Sequence, residues 1–170
     1  GNVTYECVGP NQYLITLTIY EDQSTGFIAP GGTETITITN DCGFVNPTLQ
    51  VVNDGTVTDV SQLCPSASPG PGIPGNDAWV YTGVVTLPDD CDGWHFAYSS
   101  CCRDASTNLV GTGNEYYFSA HLNSVTAPCN NSPSFSAPPI PYACVGQSVC
   151  FGLGVVETDG NTLVYSFVAP

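Results

Sequence analysis

Lysine is absent from this 170-residue chain, and Arg103 is the single arginine set against 15 acidic residues. The resulting net charge of −14 argues against any partner that would be held by Coulomb attraction to phosphate, whether nucleic acid or an anionic membrane surface. Charge of either sign is sparse, at 9% of residues, so neutral polar side chains must cover the solvated faces. No apolar run is long enough, at roughly 20 residues, to cross a bilayer as a helix. Gly1-Asn2-Val3-Thr4 shows neither the basic start nor the apolar stretch of a secretion signal, and reads as the start of a processed chain. Helical periodicity is also missing, and histidine occurs only at positions 95 and 121.

What is present is alternation. From Gln12 to Tyr20, Tyr13, Ile15, Leu17 and Ile19 fall on one face, with Leu14, Thr16, Thr18 and Tyr20 on the other. Runs of the same kind, rich in Val, Ile, Thr, Tyr and Phe, predict strands over Val3 to Val8, Thr33 to Thr39, Thr48 to Asn53, Trp79 to Leu87, Trp94 to Cys101, Glu115 to Asn123, Ser148 to Val155 and Leu163 to Val168. Pro30-Gly31-Gly32, Pro88-Asp89-Asp90, Gly111 to Asn114 and the proline-rich Pro65 to Gly75 separate them as turns and loops. Short strands at this spacing predict an all-β fold, an Ig-like or jelly-roll-like antiparallel sandwich. The prolines at 133, 138, 139 and 141 mark a linker, which places a sandwich module over residues 1–130. Residues 131–170 are then a linker and an incomplete Ig-like or cadherin-like segment. Its few strands cannot close a core alone, which is expected either of a piece of a longer protein or of a segment whose missing strands come from a neighbouring subunit.

Nine cysteines, Cys7, Cys42, Cys64, Cys91, Cys101, Cys102, Cys129, Cys144 and Cys150, lack the paired short spacings of a zinc module. They predict disulfides formed in an oxidising, extracellular compartment. An odd number leaves one unpaired or bonded between chains, and spacing does not decide the connectivity. Cys101 and Cys102, adjacent at a strand end, point to opposite faces and so take different partners. A hairpin at Gly146-Gln147-Ser148 would set Cys144 opposite Cys150.

Three stretches, GNVTYECVGPNQYLITLTIYED (1–22), YTGVVTLPDDCDGWHFAYSSCCRDASTNL (81–109) and PCNNSPSFSAPPIPYACVGQSVCFGLGVVETDGNTLVYSF (128–167), resemble a module of very large surface proteins of the Bacteroidota. There it precedes cadherin-like and PKD-like repeats. Cys101-Cys102-Arg103 and Cys129-Asn130-Asn131-Ser132-Pro133 are the most specific parts. The resemblance implies export, often by type IX secretion, and adhesive, gliding or matrix roles. Near Tyr20-Glu21-Asp22-Gln23 the chain lacks the Arg and Cys that relatives carry, which gives a reason for the odd cysteine count.

Glu157-Thr158-Asp159-Gly160-Asn161 is similar to the Asp-x-Asp-Gly-Asp turn of cadherin-like repeats. Glu157, Asp159 and Asn161 are therefore the candidate calcium ligands, weighed against an ordinary acidic turn with Gly160 at positive φ. Asp89, Asp90 and Asp92 form a second acidic tip, read as a solvated turn. His95 and His121 sit in alternating strand patterns with no nucleophile motif beside them, so no catalytic residue is assigned and no enzyme is expected. Trp79, Trp94 and the nine tyrosines offer either core or a sugar platform. The expected function is a structural or adhesive subunit of an extracellular fibre, assembling head-to-tail with copies of itself through the C-terminal segment. The alternative is a calcium-assisted glycan-binding module of a larger adhesin.

Overall fold

The computed structural model describes residues 1–23, 31–62, 75–101, 115–139, 146, 148–152 and 154–167. Seven strands form one antiparallel sheet: β1 (Asn2–Gly9), β2 (Gln12–Asp22), β3 (Thr33–Asn40), β4 (Thr48–Asp59), β5 (Asn76–Thr86), β6 (Trp94–Ser100) and β7 (Tyr116–Leu122). Their order is β1-β2-β5-β4-β3-β6-β7. That is the strand order of a seven-stranded immunoglobulin-type sandwich, with β1-β2-β5-β4 as one layer and β3-β6-β7 as the other. The layers are continuous because β3 serves both. Its first half, Thr33 to Thr37, pairs with β4, and its second half, Thr37 to Asn40, pairs with β6.

The sheet curls almost to a barrel, bringing β1 back against β7. Tyr5 Oη on β1 donates to the His121 carbonyl on β7 at 3.0 Å, and the Tyr5 ring lies 5.6 Å from that of Phe96 on β6. The interior is filled by the inward phase of each strand: Tyr13, Ile15 and Leu17, then Ile36 and Ile38, Leu49 and Val51, Tyr81, Trp94 and Phe96, and Leu122, all buried. Trp94 anchors one end, with Phe44 stacked on it at 6.1 Å and its indole N–H donated to the Asp89 carbonyl at 3.3 Å.

Two local departures from simple alternation shape the sheet. β1 and β2 are joined by Pro10-Asn11, with Asn11 at φ 54°, a proline followed by a left-handed asparagine as a type II turn demands. β4 runs six residues past Asn53, where the expected strand ended. The chain bulges between Asn53 and Val57, with Gly55 at φ 91°. The Asn53 side chain fills the gap in the ladder by donating to the Val80 carbonyl at 2.8 Å and accepting from the Gly55 N–H at 2.7 Å.

All seven strands end before residue 130. Beyond it lies a two-stranded sheet of β8 (Ser134–Phe135) and β9 (Val155–Val156). The strands expected at Ser148 to Val155 and Leu163 to Val168 do not form among the described residues: only Val155 and Val156 are paired, and 163–167 lie outside any ladder. A strand exists only where a neighbour takes its N–H and C=O groups, and here β8 alone is available, from within the expected linker. The loops expected at Pro65 to Gly75 and Gly111 to Asn114 lie outside the described residues, apart from Gly75.

Candidate functional site

The cysteines close the sandwich at two places. Cys7 on β1 is bonded to Cys129 after β7, across 122 residues, and Cys42 is bonded to Cys91 across 49. Cys101 is also disulfide-bonded. Cys150 is free and exposed, which overturns its expected pairing with Cys144. Residue 149 lies outside any ladder and the hairpin that would have set the two thiols opposite one another is not formed on the Cys150 side. Cys64, Cys102 and Cys144 lie outside the described residues. Among the described residues the tightest group of metal-type donor atoms is Cys42, Cys91 and Asp92, but its two sulfurs are bonded to each other.

The Cys7–Cys129 bond delivers the following residues onto the outer edge of β1. The Tyr5 N–H donates to Ser132 Oγ at 2.8 Å, the Ser132 N–H returns a bond to the Tyr5 carbonyl at 2.9 Å, and the Cys7 N–H donates to Asn131 Oδ1 at 2.8 Å. An edge that would otherwise be an open pairing template is thus covered by its own chain.

The Glu157 to Asn161 turn is docked on this same cover. Asp159 accepts two bonds from Asn131, from the backbone N–H at 2.6 Å and from Nδ2 at 2.8 Å. Glu157 accepts from the N–H groups of Asp159 at 3.1 Å and Asn161 at 2.6 Å. Asn161 Nδ2 donates to Asn130 Oδ1 at 3.3 Å, and Gly160 takes φ 82°. The three candidate calcium ligands are therefore brought into one turn, where the Asp159 carboxylate is engaged by Asn131 on the β1 cover, the Glu157 carboxylate closes the turn itself, and Asn161 reaches Asn130 through its amide nitrogen. The second acidic tip stays solvated: Asp89, Asp90 and Asp92 are exposed, and Asp89 Oδ1 caps the Asp90 N–H at 2.9 Å.

Two clefts flank this segment. One, of about 360 Å³, is polar and runs between β1, β2 and the segment, lined by Thr4, Glu6, Thr16, Asn131, Ser132 and Thr158 among others. The other, of about 480 Å³, is apolar, with Pro133, Phe135, Val155, Leu163, Tyr165 and Phe167 in its walls. Here Val164 is 86% and Phe167 fully exposed. A second apolar area lies on the outer face of β4 and β5, where Val52, Val80 and Val84 are exposed.

The aromatic residues proposed as a platform belong mostly to the core. Trp94 is fully buried. Trp79 is half-buried and donates its indole N–H to Glu21 Oε2 at 2.6 Å, a carboxyl whose pKa burial raises against the lowering effect of that bond. Tyr81 is buried with its hydroxyl unpartnered among the described residues. Burial, with Glu34 and Glu21 nearby, pushes its pKa up to about 12.

The two histidines, assigned separately to strand faces, turn out to be direct cross-strand partners on β6 and β7. Their rings meet edge to face at 4.3 Å, and His95 Nε2–H donates to Asp41 Oδ2 at 3.1 Å. The signal for this pairing was the outward phase that each holds beside inward Trp94 and Leu122, but the register was needed to join them.

No family model, no curated protein and no solved structure matches this chain.

Proposed function

We propose that this chain is a structural, non-catalytic module of an extracellular surface fibre, in which the C-terminal segment of one copy docks on the sandwich of the next. The observation that carries this reading is the exposed apolar face of Pro133, Phe135, Val155 and residues 163–167, beside a module that has closed its own core and covered its β1 edge. Val164, Tyr165 and Phe167 are exposed together, and surface of that kind marks an interaction site. The outer face of β4 and β5, with Val52, Val80 and Val84, is the counterpart. A contact between two different patches is heterologous and propagates instead of closing.

The disulfides support an oxidising location. The likeness of residues 1–22, 81–109 and 128–167 to modules of Bacteroidota surface proteins points in the same direction. The glycan-binding alternative has less behind it, because neither tryptophan is exposed.

Sedimentation velocity tests the reading on the non-reduced protein and on Val164→Asp, Phe167→Asp and Val84→Asp. These side chains are exposed, so the fold should tolerate each change. The expected result is concentration-dependent assembly of the wild type that each substitution weakens. A wild type that stays monomeric, or assembly indifferent to all three, overturns it.

A further inference from the structure

We infer that His95, His121 and Asp41 form a site for a single divalent transition-metal ion of the imidazole-preferring kind, such as Zn²⁺ or Cu²⁺, on the outer face of β6 and β7. Imidazole nitrogen selects these ions over calcium and magnesium, which take all-oxygen shells. The three residues come from three separate parts of the fold that pairing fixes together. His95 and His121 face one another across the β6–β7 ladder. Asp41 is held next to them because its backbone N–H donates to the Gly93 carbonyl at 3.0 Å, the residue before Trp94.

Gly93 has a specific part in this. A β-carbon there would collide with Asp41 Oδ2, so only glycine leaves room for the carboxylate to lie over β6 toward His95. The 3.1 Å from Asp41 Oδ2 to His95 Nε2 is close to the edge of a coordination tetrahedron with bonds of about 2.0 Å. The metal would take the place of the Nε2 proton, with the ring in its other neutral tautomer and the proton on Nδ1. His121 lies edge-on to His95, 4.3 Å away between ring centres, and its exposed ring has to turn about its side-chain torsions to aim a nitrogen at the same point. Asp41 and Asp92 are both exposed nearby, and the chain as a whole carries −14, so the local field favours a cation. The remaining coordination positions face solvent.

Because the chain has only two histidines, the imidazole proton signals in an NMR spectrum belong to this pair alone. The test is a titration of the intact, non-reduced protein with zinc chloride after alkylation of the free thiol, repeated on His121→Ala, His95→Ala and Asp41→Asn. Both imidazole signals should move together and saturate at one equivalent. Either histidine substitution should weaken binding by about tenfold or more, and Asp41→Asn should weaken it less. Imidazole signals unmoved by zinc, or zinc binding unchanged in His121→Ala, would overturn the assignment. His121→Ala alters an exposed side chain, so its near-ultraviolet circular dichroism should match the wild type. If instead His121→Ala fails to fold, the same titration of His121→Gln, which keeps a polar side chain of similar reach but removes the imidazole, decides the matter by the same criterion.

Discussion

Replacing Cys7 and Cys129 by serine removes the covalent link between β1 and the segment that covers its edge. The bond spans 122 residues, and the Cys42–Cys91 bridge inside it already short-circuits 49 of them, so the loop it closes is effectively about 73 residues. Chain-entropy reasoning gives about 4 kcal/mol for a loop of that size, released to the unfolded state when the bond is lost. With a urea dependence of about 2 kcal/mol per molar for a chain of this length, the unfolding midpoint should fall by about 2 M. Trp94, buried in the core, gives the fluorescence signal for the transition. The slope should also change, because the unfolded chain is less constrained and exposes more surface. A midpoint shift below about 0.5 M urea would mean that the link does not constrain the unfolded chain as its span requires.

Trp94→Ala empties a fully buried site against Phe44 and should cost about 3–5 kcal/mol in urea unfolding followed by far-ultraviolet circular dichroism, since the variant lacks the Trp94 signal. Asp159→Ala deletes both acceptors for Asn131; it should leave the stability of the sandwich near wild type while hydrogen exchange in residues 154–167 accelerates. Tyr81 titrates at about 12 in the folded protein against an ordinary value of 10.0. The native state therefore keeps a proton that the unfolded chain releases, and stability should fall as pH rises from about 10 to about 12. Urea midpoints across that range, with phenolate absorbance followed in parallel, check the sign.

The sandwich was legible because its core-facing residues alternate without interruption. Tyr13 to Ile19 on β2 and Trp94 to Tyr98 on β6 put every other side chain inside, and period two admits no other element. The far end of β4 was not legible: the alternating run stops at Asn53, and only the Val80 carbonyl across the ladder, taken up by the Asn53 side chain, carries the strand on through a bulge to Asp59. Past residue 130 the alternating runs at Ser148 and Leu163 promised strands, yet alternation supplies a face and not a neighbour. The cysteine pairing, the Asp159–Asn131 clamp and the His95–His121 contact all join residues separated by 26 or more positions. They depend on register and crossover, which local pattern does not encode.

The contact between copies proposed for the apolar face of Pro133, Phe135, Val155 and residues 163–167 has a visible product. Electron microscopy of the native, non-reduced protein tests it most directly. Filaments with a regular axial repeat, lost in Phe167→Asp, are the expected result. Dispersed single particles at every concentration, with residues 133–167 protected from exchange inside each one, would contradict it.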